Sequence, residues 1–289
     1  MGQFIEILVL LSVYAILVAS ADLTVGMARL LTLCQAAFCG IGAYFAAFFL
    51  IRYQVPFFII AFAVMGITGL SSLLVARASI RLKGDYFVLA TLAFQVIVYS
   101  ILTNLVSVTG GPYGLSGFDR IRILGKWELS NDLLFALFSL ILAGCVVWFV
   151  HSLRKSPFGR LLRAVRSDDK AVEALGHNVA ALKTRAFFLS AAFSGMAGLL
   201  LASYRYNVIP ESFSFSESIT ILTALFLGGS GNWRGPVAGT LVIVLLPVLL
   251  RSFGWDEPMV DCIKQIVYGL TLIVLMWLRP QGLFGIKEA

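Results

Sequence analysis

The stretch LLFALFSLILAGCVVWFV, from Leu133 to Val150, contains no charged side chain, and a long polar loop from His151 to Arg185 follows it directly. A helix needs about 20 apolar residues to cross the hydrocarbon core of a bilayer, so this stretch predicts a membrane span. The loop is rich in basic residues: Arg154, Lys155, Arg160, Arg163, Arg166, Lys170, Lys183 and Arg185. Basic loops stay in the cytoplasm. Together the two features predict a membrane helix that leads into a cytoplasmic loop.

Eight further apolar runs, with charges only near their ends, lie on either side of this pair. They are Phe4 to Ser20, Leu31 to Leu50, Pro56 to Ala76, Tyr86 to Leu105, Ala186 to Tyr204, Ser218 to Gly231, Gly235 to Leu250 and Ile263 to Leu278. We therefore predict an all-α polytopic membrane protein with about nine transmembrane helices (8–10), in a single domain over residues 1–289. The run from Ser218 is short, and it fits a half-spanning or broken helix as well as a crossing one.

The overall composition excludes a soluble protein. Hydrophobic residues make up 60% of the 289 residues and charged residues 13%, whereas soluble domains have roughly 45–50% and 25%. The four cysteines show neither CxxC spacing nor histidine partners, so we predict no metal site and no disulfide.

The formal charge of +7 bears on topology. Alternating outward from the basic loop places further basic residues on the same side, namely Arg29, Arg77, Arg81, Lys83, Arg234, Arg279 and Lys287. This predicts an N-terminus outside and a C-terminus in the cytoplasm. The positive charge is then a property of the cytoplasmic side, and no nucleic-acid partner is needed to explain it.

The spans contain essentially no ionisable side chain away from their ends, which argues against an ion-coupled carrier or channel, the main alternative from a different class. The sequence also has no GxxxxGK[ST] phosphate loop, GxSxG elbow or HExxH pair. We therefore expect no enzymatic activity in this chain. If the protein moves a solute uphill, another subunit must supply the energy.

Small and neutral polar residues are common in the spans. The segments Gly40–Ala43, Gly66–Gly69 and Gly195–Gly198 predict close approach of helices. Candidates for a polar translocation route are Gln35, Tyr44, Thr91, Gln95 and Asn104, although a hydrogen bond between helices explains each equally well. Two glycine-rich turns, Thr109 to Gly117 and Leu227 to Pro236, fit either tight connections or exposed backbone at the mouth of a route. Their candidate residues are Gly110, Gly111, Gly228 and Gly229.

The basic loop has helical periodicity. Leu161, Val165, Val172 and Leu175 are spaced to share one helix face. Ser167 is placed to cap a second short helix whose first turn carries Asp168 and Asp169, and Gly176 is placed to end it. An amphipathic helix on the membrane surface is one interpretation. The alternation of acidic and basic residues favours another, a docking element for a cytoplasmic protein.

These residues resemble a known family. SPFGRLLRAVRSDDKAVEALGHNVAALKTR (Ser156 to Arg185) is similar to the ATPase-docking loop of ABC importer permeases of the branched-chain amino acid type, the LivH/LivM family. Other segments match in the same order, namely Thr103 to Phe118, Phe213 to Thr240 and Arg279 to Gly285. Cys34-Gln35 departs from the usual Gly-His pair, which leaves the substrate open.

The resemblance implies a permease subunit of an ATP-driven importer for branched-chain or related amino acids in the bacterial inner membrane. Its partners would be a LivH-type permease, two cytoplasmic ATPases that hold ATP and Mg, and an extracytoplasmic substrate-binding protein, so this chain would need no cofactor of its own. The 156–183 loop would couple the ATPases to the spans through Arg160, Arg163, Arg166, Asp168, Asp169, Glu173 and Gly176. Urea and short-chain amide importers are the nearest alternative.

Overall fold

A computed structural model describes residues 2–53, 56–79, 84–117, 132–229, 234–252 and 257–278. Three features discussed above lie outside these ranges. They are Arg81 and Lys83 of the second predicted cytoplasmic loop, the 230–233 part of the second glycine-rich turn, and the RPQGLFG motif with the residues that follow it.

The described residues form helices joined by short connections. The helices are α1 (Gly2–Ala21), α2 (Gln35–Tyr53), α3 (Phe57–Ser79), α4 (Asp85–Asn104), α5 (Val106–Thr109), α6 (Asp132–Lys155), α7 (Pro157–Ser167), α8 (Asp169–Ala174), α9 (Val179–Arg205), α10 (Phe215–Gly228), α11 (Arg234–Ser252) and α12 (Glu257–Leu278). Two-residue strands β1 (Leu115–Ser116) and β2 (Asn207–Val208) pair antiparallel. The prediction of an all-α polytopic membrane protein is confirmed.

Within the described ranges, six helical segments are long and apolar enough to cross a membrane: Phe4–Met27, Gln35–Arg52, Phe57–Ser79, Asp85–Asn104, Asp132–Lys155 and Val179–Arg205. The last three predicted spans correspond to shorter apolar helices, Phe215–Gly228, Gly235–Leu250 and Cys262–Val274. The number of nine transmembrane helices therefore stays a prediction.

Helix α9 is the central element, and glycines set its distance from its neighbours. A Cβ atom on Gly198 would overlap the carbonyl oxygen of Cys39 in α2, and one on Gly42 would overlap the backbone of Gly195. Gly69 of α3 likewise lies against the ring of Phe188. Such close approach is the usual way to pack helices where lipid supplies no hydrophobic drive between them. Gly66, by contrast, faces open space, so it does not pack as predicted.

Two helix ends differ from the predicted spans. Helix α1 continues as a π-helical turn from Asp22 to Met27, a rare geometry that often marks a functional site. Helix α2 begins at Gln35, four residues later than the apolar run at Leu31, because residues 29–34 form a non-helical connection. Apolarity alone could not reveal either end, because both segments are mostly apolar apart from Asp22 and Arg29.

The first glycine-rich turn is held against the connection that follows α9. Gly110 and Gly114 both have positive φ, at 73° and 69°, and a Cβ on Gly114 would overlap the carbonyl oxygen of Val208. A side chain would prevent both the conformation and the contact. The turn thus brings β1 against β2 at the end of the bundle where α9 finishes.

Candidate coupling loop and membrane-depth polar cluster

The polar loop folds as two capped helices. The hydroxyl of Ser156 accepts a hydrogen bond from the Gly159 amide at 3.3 Å, and Pro157 occupies the first helical position of α7. Both features are standard helix-start chemistry. Leu162 and Val165 are buried beneath α7 and fix the side that it presents to the membrane helices.

Helix α8 begins with Asp168, and the prediction that Ser167 caps it is wrong. The Asp168 carboxylate accepts hydrogen bonds from the amides of Lys170 and Ala171, at 2.8 and 3.3 Å. The hydroxyl of Ser167 instead donates to the carbonyl of Arg163, within α7. An aspartate at this position also adds a negative charge at the helix N-terminus, which the helix dipole favours.

The helix α8 ends as the sequence predicts. Gly176 has a φ of 83°, and the His177 amide donates to the carbonyl of Val172 at 3.3 Å, closing the helix in the manner of a Schellman motif. The side chain of Asn178 then caps α9 by accepting from the Ala181 amide at 3.0 Å. Two helices therefore meet at a sharp turn around Gly176.

This turn leaves an apolar side chain in the open. Leu175 is 77% exposed, although the periodicity placed it on the buried face with Val165 and Val172. That prediction is wrong for Leu175, because α8 ends at Ala174 and Leu175 lies beyond the last helical residue. Glu173 and Gly176 are exposed as well. Leu175 is therefore an apolar side chain on the exposed surface of an otherwise polar loop.

The loop arginines bind backbone at the ends of the membrane helices. Arg166 donates to the carbonyl of Gly26 in the π-helical turn at 2.5 Å, and Arg163 donates to the carbonyl of Arg154 at 3.3 Å. Arg160 donates to the carbonyl of Lys155 at 3.0 Å. The three arginines named as coupling residues thus tie α7 to the ends of α1 and α6. Asp169 is different, since it forms an ion pair with Lys183 of α9 at 2.6 Å.

A buried ion pair lies next to these contacts of α7. Asp22 of the π-helical turn is 1% exposed and pairs with Arg154 in the last turn of α6, which is 8% exposed. Removing one partner from such a pair would leave an uncompensated buried charge, a strongly destabilising change. The pair therefore joins α1 and α6 at the point where the loop helix docks. Neither residue was predicted from the sequence to be part of a site.

A second polar group lies at membrane depth, around the start of α2. The amide of Ala37 donates to the side-chain oxygen of Gln95 at 2.7 Å, and the amide of Ala36 donates to the hydroxyl of Ser218 at 3.2 Å. Gln95 is the eleventh residue of α4, so it lies about 15 Å from either end of that helix. A helix that starts inside the membrane needs such partners, because lipid offers none.

Neighbouring hydroxyls and amides extend this group. The side chain of Gln35 donates to Ser190 at 2.8 Å and accepts from Ser194 at 2.6 Å, both on α9. Ser194 also lies 2.9 Å from the hydroxyl of Ser20 in α1. The hydroxyl of Thr91 accepts from the Leu33 amide at 3.2 Å. We call these side chains, with Gln95 and Ser218, the membrane-depth polar cluster: Ser20, Gln35, Thr91, Gln95, Ser190, Ser194 and Ser218.

The structure brings together only some of the candidate pathway residues. Thr91 and Gln95 belong to the membrane-depth polar cluster, and the ring of Tyr44 packs edge-on to Phe213, whose carbonyl accepts from Gln95. The Tyr44 hydroxyl is buried and has no hydrogen-bond partner among the described residues.

The glycine pairs lie at opposite ends of the bundle. Gly110 and Gly111 are beside β2, after α9 finishes, whereas Gly228 meets Gly235 at the start of α11. Pro236 of α11 shares a small cavity with Asp22 and Arg154, which places this start at the loop end. A role of these residues in translocation stays a prediction.

Comparison with known proteins identifies the family. The model of the family described as "Branched-chain amino acid transport system / permease component" matches residues 3–276. The chain belongs to this family. It is 31% identical to the high-affinity branched-chain amino acid transport system permease protein LivM of Escherichia coli K12, over 96% of this chain and 69% of that protein.

Two other relatives show the breadth of the similarity. The LivH permease of Escherichia coli K12 is 28% identical over 65% of this chain and 61% of its own length. The ribose import permease protein RbsC of Bacillus subtilis is 28% identical over 66% of this chain and 58% of its own length. No solved structure matches the permease. These relatives are transport permeases and not enzymes, and the permease is a multi-pass membrane protein.

Proposed function

We propose that the chain is one permease subunit of an ATP-driven ABC importer that carries branched-chain or related amino acids across the bacterial inner membrane. The observation that carries this proposal is the similarity to LivM over 96% of the chain. The resemblance to a ribose permease indicates that this architecture serves more than one substrate class. The delivered substrate is then chosen largely by the partner binding protein, which keeps urea and short amides as the alternative.

The proposed partners are a LivH-type permease, two cytoplasmic ATPases with ATP and Mg, and an extracytoplasmic binding protein. The proposed orientation has the N-terminus outside and the C-terminus in the cytoplasm, with the 156–183 loop facing the ATPases. Support for the loop assignment comes from its geometry. The turn around Leu175 is exposed, while α7 is tied by Arg163 and Arg166 to the ends of α6 and α1. We therefore propose that a force exerted on this turn by an ATPase is transmitted through α7 to α1 and α6.

The proposal is tested by reconstituting the chain with its three kinds of partner and measuring uptake of labelled L-leucine. Uptake should require hydrolysable ATP, and accumulation driven by a proton gradient alone would reject the proposed function. Within this system, Leu175→Asp should lower ATPase binding and uptake together, because it puts a charge on the exposed apolar contact. Ala180→Asp adds the same charge elsewhere in this loop, at an exposed position in the first turn of α9 where an acid suits the helix dipole, so it shows whether the effect is specific to Leu175. Equal uptake in both variants would exclude Leu175 from the docking surface.

A further inference from the structure

A carboxylate lies at membrane depth, one residue before the predicted span Ser218 to Gly231. Glu217 is the third residue of α10, and its carboxylate accepts a hydrogen bond from the hydroxyl of Tyr14. Tyr14 lies about 18 Å from either end of the helical segment Gly2–Met27. The next residue, Ser218, reaches Gln95 at 3.3 Å, halfway along α4. Two independent helices therefore place Glu217 deep in the membrane.

The depth of Glu217 follows from how α10 begins. After α9 ends, the chain passes through a 3₁₀ turn at Pro210–Phe213 and starts a helix of only 14 residues. The carbonyl of Phe213 accepts from the side chain of Gln95 at 2.7 Å, so the turn already lies at that depth. From the sequence, Glu217 reads as a residue just before an apolar run. In the structure it lies in the first turn of a short helix that begins inside the membrane.

The start of α10 is also only partly covered by this chain. Phe215 is 39% exposed, and Ser214, Ser216 and Glu217 keep part of their surface accessible. Ionisable side chains at membrane depth are costly against lipid and almost always face a bundle interior or a water-filled path. Short helices that begin at this depth form substrate sites in other transporters. The uncovered side of Glu217 therefore fits a path shared with a second subunit better than it fits lipid.

We propose that Glu217, held by Tyr14, lines the translocation path and receives the ammonium group of the amino acid in transit. This inference rests on the proposed function. A carboxylate complements the positive end of a zwitterionic amino acid, and charge-assisted hydrogen bonds are the strong ones. The bond from Tyr14 fixes one carboxylate oxygen, and part of the Glu217 surface stays accessible. Glu217 contacts the substrate only during translocation. Its replacement therefore lowers the rate of transport and leaves the affinity of the binding protein for the substrate unchanged.

The test uses the complete importer in proteoliposomes, with labelled L-leucine delivered by its binding protein. Glu217→Gln should lower the maximal uptake rate per complex by about tenfold or more, since hydrogen bonds to charged groups contribute most to recognition. The amount of assembled complex and its ATP hydrolysis should persist. Glu217→Asp should give an intermediate rate. Glu6→Gln, the same change near the start of α1, is the control and should keep the wild-type rate.

Several outcomes overturn the inference. A wild-type rate per complex in Glu217→Gln does so, and so does a fall in uptake that only follows a fall in the amount of complex. If Glu217→Gln does not assemble, Glu217→Asp decides, because its shorter side chain withdraws the carboxylate by one methylene, and an unchanged rate per complex then rejects the role. A wild-type complex that shows no ATP-dependent leucine uptake rejects the proposed function instead, so the two failures are distinguishable.

Discussion

Replacing Gln95 with methionine tests whether the start of α2 depends on its partners from α4 and α10. The substitution keeps the length of the side chain and removes its polar atoms. Three hydrogen bonds disappear: the one from the Ala37 amide at 2.7 Å, the one from the Ser218 hydroxyl at 3.3 Å, and the one to the Phe213 carbonyl at 2.7 Å. Gln95 is 1% exposed, so water cannot easily replace it.

The size of the effect follows from the groups left behind. Hydrogen bonds in membrane proteins contribute on average about 0.6 kcal/mol each, which gives a lower bound near 2 kcal/mol for the three. Orphaning a buried backbone amide and a buried carbonyl costs roughly 1–3 kcal/mol for each group, which raises the expectation to about 5 kcal/mol. For a chain of this size the thermal midpoint should fall by on the order of 10 °C.

The assay is thermal unfolding of the purified protein in detergent, compared with Asn104→Met as the matched control. Asn104 lies on the same helix and carries the same amide, but it is exposed and bonds only to the Ser100 carbonyl of its own helix at 2.8 Å. The control should leave the midpoint within about 2 °C of wild type, as surface substitutions usually do. Equal midpoints for Gln95→Met and Asn104→Met would refute the assignment of Gln95 as the cap of α2.

Two further predictions concern packing and orientation. Gly198→Ala should destabilise the protein by about 1–3 kcal/mol because its Cβ overlaps the Cys39 carbonyl, whereas Gly144→Ala, which meets nothing within 4 Å, should be neutral in the same melting assay. Equal midpoints for these two variants would contradict the close packing of α2 and α9. In a variant without the native cysteines, Tyr113→Cys, at a position 90% exposed beside β1, should react with a membrane-impermeant maleimide in intact cells, and His177→Cys only after permeabilisation. The reverse pattern would invert the orientation.

The apolar runs predicted the long helices well because a membrane span must satisfy its own backbone and must be apolar throughout. The segments around α3, α4, α6 and α9 show this directly. The same rule fails where protein, and not lipid, surrounds the backbone. The connection at residues 29–34 is mostly apolar yet non-helical, and the turn before α10 is polar yet lies at the depth of Gln95. Thr91 accepts from the Leu33 amide, and Gln95 donates to the Phe213 carbonyl. A hydropathy pattern does not show which side chains supply these hydrogen bonds.

The residues of the candidate sites were likewise predictable only where local rules apply. Local rules predicted Gly176 as the end of α8, since a left-handed residue after a helix favours glycine regardless of the rest of the fold. The pairing of Asp22 with Arg154 joins residues 132 positions apart, and Glu217 meets Tyr14 across 203 positions. A single sequence shows Asp22, Arg154 and Glu217 near the ends of apolar runs and Tyr14 within one, with nothing to pair them. Only the packing of α1 against α6 and α10 brings the partners together.

The positions of Asp22 and Glu217 bear on how an importer of this kind can separate energy input from substrate passage. Asp22 is held by Arg154 at the loop end, beside the arginines that anchor α7. Glu217 lies deeper, next to the membrane-depth polar cluster, and its own chain covers it only in part. Titratable groups at that depth also serve ion-coupled carriers. The loop end, however, carries a capped and anchored surface that a self-sufficient carrier would not need. The proposed docking of an ATPase on this loop, which would supply the energy from a partner, is therefore the stronger reason to assign Glu217 to substrate and not to a coupling ion.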